Sequence, residues 1–394
     1  MLLVMRFIFL AKNFDLGGAE MSSARMMNAL ICRGHDVTLV TFNRGERGAF
    51  AILDDRVRCL ALRPCLYSGI SGNSTGPRST LRRRALRQCL RVVCILAGFP
   101  SLLRLLLDRF DAAGVLVMGY PRLIIEYLVR ADTKMRWIRS DLSGADPTGS
   151  VARSLRRATT NTDLFICVSK VARASFLAAV PEAADKAVVI YNILNSDEMH
   201  ARAKEAKPPF PPPQDGVPVV LSVCRLSEHA KGLTRMVRVC RALAEAEVSF
   251  HWYVAGEGPD RPLLEHEIDR HGMSARMILL GRLDNPFPAY RAADLVAMLS
   301  HYEGLCGVVN EARVLGKPVI ATQVSGIDEQ LEDGVNGVVV EQDENAIVAA
   351  MARLLTDTEL RARLADGGYP AALLDDAAKL DHLEALVCRR KVAP

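Results

Sequence analysis

Short runs of apolar residues punctuate the chain, and between most of them apolar positions recur at helical spacing. In the first half, Arg6–Leu10, Val37–Phe42, Val115–Met118, Met135–Ile138 and Leu164–Val168 read as buried strands. In the second half, the corresponding runs are Val217–Val223, Phe250–Ala255, Met277–Leu280, Leu295–Leu299 and Val319–Ala321. Ala19–Arg33 follows a helical pattern, and Gly34 sits where a helix closes through a left-handed residue. Strands alternating with helices predict an α/β class with parallel sheets and right-handed crossovers. The stretch from Lys207 to Gly216 holds five prolines. It excludes helix and central strand and predicts a stiff linker. The expected division is a parallel-sheet domain over 1–200, a linker over 201–216 and a second such domain over 217–368. A C-terminal helix within 369–394 is expected to pack back on the first domain.

Composition narrows the class. Half of the 394 residues are hydrophobic and 24% are charged, the profile of a folded globular chain rather than a disordered one. The longest uncharged apolar run, Val92–Leu103, stops well short of the about 20 residues a spanning helix needs. Arg6 and Lys12 interrupt the apolar N-terminus, which reads as a strand rather than a signal peptide. The ten cysteines show no C-x-x-C spacing and sit mostly in apolar runs. They point to a reducing cytoplasm and away from a disulfide framework or zinc site. No histidine set has ligand spacing, so no metal is expected.

The net charge of +5 is uneven. Pro77–Phe110 carries eight arginines against Asp108, giving +7 there and −2 over the rest. On a helical wheel Arg83, Arg84, Arg87 and Arg91 fall on one side. Leu81, Ala85, Leu86, Cys89, Val92 and Val93 lie opposite, with Arg82 as the exception. This pattern suits docking on an anionic membrane surface through residues 78–109, and equally an ordinary helix with a solvated basic face. The stretch has almost no interleaved aromatics, so nucleic acid is not the expected partner.

Four stretches carry candidate chemistry, each after a predicted strand. Glu303-Gly304-Leu305-Cys306-Gly307 leads into a helical pattern from Val308 to Leu315 that is expected to hold Glu311 on its first turn. Free amides at such a helix start bind anions, and Glu311 would either accept from a vicinal diol or complement the helix dipole. Arg225 and Lys231 follow the strand Val217–Val223, as a fork and a point charge for phosphate oxygens or as surface cations. Gly17-Gly18 and Gly256-Glu257-Gly258 would let backbone approach a ligand closely. No D-x-D motif is present to hold a divalent metal on a diphosphate.

The second half resembles the retaining nucleotide-sugar glycosyltransferases of family 4, which have the GT-B fold of two facing Rossmann-like domains. The matching text is Arg225-Leu226 with Lys231-Gly232, Val254–Pro259, Leu280-Gly281, Ala293–Leu295, Ser300–Glu311, Gly316–Ala321, Gly326–Glu329 and Asp333–Gly337. The first half matches more loosely, through Gly17–Glu20, Gly34–Val37, Val168-Ser169 and Val189–Asn192. The resemblance implies roles. Arg225 and Lys231 would neutralise the donor diphosphate, and Glu311 would bind the ribose. Glu303 and the amides of Leu305, Cys306 and Gly307 would hold the donor sugar and its phosphate. Gly17, Gly18 and Gly256 would approach the donor. The nucleotide-sugar would be a co-substrate, with no cofactor and no metal. The acceptor would be a glycan or a lipid-linked hydroxyl, as in bacterial surface polysaccharide synthesis. The protein would be cytoplasmic, or peripheral on the inner face of the membrane. An epimerase or a non-catalytic binding subunit of the same fold is the alternative.

Two features depart from the family. The Arg225–Lys231 spacing is one residue longer than usual. Where relatives often carry an acceptor-side His, this chain has Trp137-Ile138-Arg139-Ser140-Asp141. Arg139 cannot serve as a base. Either the His role is dispensable, or Arg139 binds an acidic or phosphorylated acceptor, or Arg139 is structural; Asp141 is placed with it on the acceptor side.

Overall fold

The computed structural model describes residues 4–12, 14, 17–43, 48–63, 103–117, 120, 122, 124–146, 148–211 and 216–392. Arg78–Arg91, the core of the expected basic helix, lies outside the described residues.

The chain forms two compact units. The first comprises Met1–Val168, Arg173–Ile193 and Ala377–Pro394. Its strands are β1 (Arg6–Leu10), β2 (Asp36–Asn43), β3 (Arg58–Arg63), β4 (Arg109–Val115), β5 (Arg130–Ile138), β6 (Leu164–Cys167) and β7 (Ala187–Val189). Among the described residues they make one parallel sheet of seven strands, ordered β3-β2-β1-β4-β5-β6-β7.

Apolar runs predicted most of these strands, but β4 lies further toward the N-terminus than the expected Val115–Met118. It is built from small residues because it is crowded. A Cβ on Gly114 would come within 2.7 Å of the Trp137 ring and 2.9 Å of Phe9. β3, which carries Arg at both ends, and the three-residue β7 give too weak an apolar signal to be expected. The C-terminal helix, Asp376–Val392, contributes its length from Ala377 to this unit. Arg33 donates to Asp381 and, at 3.1 Å, to Glu384, whose carboxylate also lies 3.2 Å from His35 Nε2.

The second unit comprises Ser169–Ala172 and Leu194–Asp376. Its strands are β8 (Val219–Val223), β9 (His251–Ala255), β10 (Met277–Gly281), β11 (Leu295–Met298), β12 (Val319–Thr322) and β13 (Val338–Val340). Among the described residues they form a six-stranded parallel sheet ordered β10-β9-β8-β11-β12-β13. Side chains alternate between two buried faces. Val220, Trp252 and Ala297 pack on one side with Leu243, Leu264 and Ile347. Leu221, Tyr253 and Val296 pack on the other with Phe287 and Tyr290. Covering both faces is why these strands read as unbroken apolar runs. The buried Trp252 indole N–H is satisfied by Ser222 Oγ at 3.0 Å.

The second unit takes up the chain at Leu194, so the helix Ser196–Arg202 lies on its side. Met199 and Phe210 join its core, and the Phe210 ring stacks on Tyr253 at 4.2 Å between centroids.

In this sheet the strand order reverses between β8 and β11. Loops leaving such a point diverge and open a crevice at the carboxyl edge, where ligands of parallel α/β sheets bind.

Candidate active site

The loops after β8 and β11 carry the residues singled out from sequence. After β8 the chain runs through Cys224–Ser227 into the short helix Glu228–Lys231. Gly232 ends that helix at φ 61°, and a Cβ there would stand 3.0 Å from the Leu299 carbonyl oxygen. This close approach brings the two loops together, and the His301 amide donates to the Ala230 carbonyl at 2.8 Å.

Lys231 Nζ then donates to Glu303 Oε1, which also accepts from Ser300 Oγ at 2.7 Å. Both partners are mostly buried. Burial disfavours the Lys231 charge, but the Glu303 carboxylate outweighs it and the ammonium's pKa is raised. Cys224, Cys306 and Val308 line the same small cavity as Lys231, Ser300 and Glu303. Burial pushes the Cys224 thiol up to about 11 and Cys306 to about 12, so both stay protonated at neutral pH.

Arg225 is exposed, and its guanidinium has no hydrogen-bond or ion-pair partner among the described residues. Its loop is braced from behind. The Cys224 amide donates to Ala255 O and the Leu226 amide to Glu257 O, both at 3.0 Å. Gly256 has φ 149°, and a Cβ on it would stand 1.8 Å from Cys224 O. Gly258 would meet Leu226 O at 2.1 Å. Both glycines are thus accounted for by packing against the Arg225 loop. Gly256 was expected at the donor, and the structure gives it this bracing task.

The helix Gly307–Val314 starts after Cys306 without a side-chain cap. A Cβ on Gly307 would meet open space. The Cys306 amide, expected to face a donor phosphate, is instead taken by Gln330 Oε1 at 2.9 Å, while Gln330 Nε2 returns to Cys306 O at 2.8 Å. Gln330 also donates to Asn310 Oδ1 at 2.6 Å. Leu305 lies in the loop just before this clamp. Glu311 lies on the second turn of the helix rather than the first, and Tyr290 O–H donates to its Oε2 at 3.1 Å.

In the first unit, Gly17 caps the helix Gly18–Cys32 with extended backbone and no side-chain hydrogen bond. Gly18 has open space where a Cβ would be, while the Glu20 carboxylate folds back over Gly17. Arg139 follows β5, and its guanidinium donates three hydrogen bonds. They run to Leu116 O at 2.9 Å, Asn192 Oδ1 at 3.2 Å and Ser23 Oγ at 2.7 Å. Burial without an ion pair lowers its pKa to about 10. Asp141 caps the short helix Leu142–Ala145, accepting from the Ser143 amide at 2.9 Å.

Sequence reasoning missed Gln330, Ser300 as a partner of Glu303, and the Arg235–His301–Gln342 cluster beneath the loop. Ser300 was legible only as part of the matching text. The others act over separations of tens of residues and leave no local pattern.

Two family models account for most of the chain. The model described as glycosyl transferases group 1 matches residues 203–370, and that described as glycosyltransferase family 4 matches residues 16–198. This chain belongs to the family 4 glycosyltransferases.

This family 4 glycosyltransferase is 33% identical over 159 residues to an alpha-D-kanosaminyltransferase of Streptomyces kanamyceticus, covering 40% of this chain and 41% of that protein. It is 31% identical over 153 residues to the lipopolysaccharide core biosynthesis glycosyltransferase LpsE of Rhizobium meliloti, covering 39% of this chain and 44% of LpsE. The match thus spans less than half the length of these relatives. Among solved structures, Anabaena HepE in complex with UDP and glucose superposes with a TM-score of 0.71 at 19% identity, covering 98% of this chain and 99% of HepE. TarM of Staphylococcus aureus, solved with UDP and alpha-GlcNAc-glycerol, gives 0.74 at 13% identity, covering 98% of this chain and all of the TarM chain. The family 4 glycosyltransferase therefore has the GT-B fold, with two Rossmann-like domains. No helix among its described residues is long and apolar enough to cross a membrane.

Proposed function

We propose that this glycosyltransferase moves a sugar from a nucleotide diphosphate sugar to a hydroxyl of a glycan or lipid-linked acceptor, retaining the anomeric configuration. The observation that carries this reading is the Lys231–Glu303 pair at the β8/β11 reversal, beside an Arg225 with no described partner. Arg225 and Lys231 would take the charge that develops on the leaving diphosphate, and the uncapped start of Gly307–Val314 would add its amides. With cations and amides aimed at that charge, no metal is required. Glu303 would hold the donor sugar, and Glu311 the ribose hydroxyls. Attack and departure would occur on one face, a donor phosphate oxygen taking the acceptor proton, so no side-chain nucleophile is assigned.

HepE and TarM were solved with UDP, which favours a uridine nucleotide over a guanosine one. The match to LpsE favours a role in surface polysaccharide synthesis. Docking on an anionic cytoplasmic membrane surface through residues 78–109 would bring the enzyme to a lipid-linked acceptor.

Thermal unfolding with UDP, GDP, ADP and their sugar conjugates tests the donor site, beside Arg225→Ala. A ligand at about 100 times its dissociation constant adds roughly 2.7 kcal/mol, or several degrees. A shift with one nucleotide family that Arg225→Ala abolishes supports the assignment. No shift with any nucleotide overturns it. Sedimentation with anionic and neutral vesicles tests the membrane claim, which fails without salt-sensitive binding to the anionic ones.

A further inference from the structure

Beneath the loop that joins β11 to Glu303 lies a polar cluster to which no role has been given. Arg235, on the helix Leu233–Glu245, is buried. Its Nη1 donates to Gln342 Oε1 at 2.6 Å and reaches Leu299 O at 3.4 Å. Its Nη2 meets His301 Nδ1 at 2.8 Å. Gln342 Nε2 in turn donates to Ser300 O at 3.2 Å and Gln323 O at 2.9 Å. Thr322 Oγ1 donates to the same Ser300 carbonyl at 2.6 Å. One guanidinium therefore grips Leu299 and His301 directly and Ser300 through Gln342. Those are the residues that deliver Ser300 Oγ to Glu303, and the His301 amide ties the loop to Ala230, next to Lys231.

We propose that Arg235 is a positioning residue for the Lys231–Glu303 pair, acting through His301 and Gln342. The proposal rests on the donor-site reading of that pair. It adds a requirement which that reading does not contain, namely a neutral His301. An arginine only donates, so His301 Nδ1 must accept and the ring carries its proton on Nε2. A second proton would land on Nδ1, facing Arg235, and break the link. The charged and titratable groups around the ring are Arg235, Glu228, His229 and Arg238. Glu228 is occupied by Thr234, and Arg238 by Glu344. His301 as a whole residue is exposed, but partial desolvation of its ring and then the Arg235 charge lower its pKa. The grip is therefore present at neutral pH and is lost as pH falls through a value below the ordinary His range of about 6.5.

Two readouts test this without knowledge of the acceptor. The first is hydrogen–deuterium exchange of segment 299–304 between pH 5 and 8. The second is the affinity for UDP and GDP over the same range. In the wild type, the protection of this segment, corrected for the intrinsic pH dependence of amide exchange, should fall together with affinity on the acid side. His301→Asn keeps an acceptor near the Nδ1 position but cannot titrate, so it should remove the acid limb of both curves. His301→Ala and Arg235→Gln should show fast exchange and at least tenfold weaker nucleotide binding even at pH 8. Should Arg235→Gln unfold, the His301 variants still decide. An unchanged acid limb in His301→Asn, or slow exchange in His301→Ala, would overturn the proposal. If Lys231→Ala binds nucleotide like the wild type while exchange follows His301 as described, the donor reading fails and the positioning relationship stands.

Discussion

Gly256 and Cys224 pass so closely that a Cβ on the glycine would stand 1.8 Å from the cysteine's carbonyl oxygen. The backbone turn behind Arg225 exists only because position 256 lacks a side chain. Gly256 also holds φ 149°, a conformation that L side chains rarely adopt. Gly256→Ala should therefore lower stability by about 2–4 kcal/mol, through strain and the displaced loop. Gly18→Ala is the control, since nothing lies within 4 Å of its Cβ position and it opens a helix. Its melting temperature should match the wild type or exceed it. Equal losses in the two variants would contradict the packing account.

The Lys231–Glu303 pair should be visible in a double-mutant cycle. Truncating one partner leaves the other's charge mostly buried and unpaired. Lys231→Met and Glu303→Gln should each destabilise, and the coupling should be about 1–3 kcal/mol. The pH dependence follows from the raised Lys231 pKa. This contribution is complete below the unfolded lysine value of about 10.5 and is lost as pH rises through the folded value. Urea titrations at pH 8 and pH 11 should show a smaller coupling at the higher pH.

Arg139 spends three hydrogen bonds on neutral acceptors that reach it from three different segments of the first unit. Arg139→Leu should cost about 2–4 kcal/mol by leaving those acceptors unpaired in a buried site. Arg139→Lys should recover only part, because an ammonium cannot reproduce the planar fork. Wild-type melting temperature in Arg139→Leu would mean that the guanidinium serves a ligand rather than the fold.

Thiol labelling reads the burial of the cavity directly. Cys32 and Cys59 are exposed, whereas Cys306 is buried with its pKa raised to about 12. The thiolate is the reacting form. Iodoacetamide at pH 7.5 should modify Cys32 and Cys59 within minutes and leave Cys306 intact until the protein unfolds. Peptide mapping that finds Cys306 among the first labelled residues would show that the cavity opens in the native state.

The sequence by itself determined the class of fold and most of its strands. Strands buried on both faces must be apolar along their whole length, and that signal is local. It also determined the chemistry on offer, because Arg225, Lys231, Glu303 and Glu311 each stand just beyond a strand or on the helix that follows it. Where the local signal was weak, the reading slipped. Small residues dilute β4 because Phe9 and Trp137 crowd Gly114, and β13 has only three residues. Only the tertiary structure decided which of these groups meet. Lys231 finds Glu303 because strand order reverses between β8 and β11, a long-range pairing that no local pattern encodes. The same holds for Gln330 on Cys306 and Arg235 under His301. A hydrogen bond is made by distance and direction in space, and residues far apart in the chain acquire both only when the sheet is assembled.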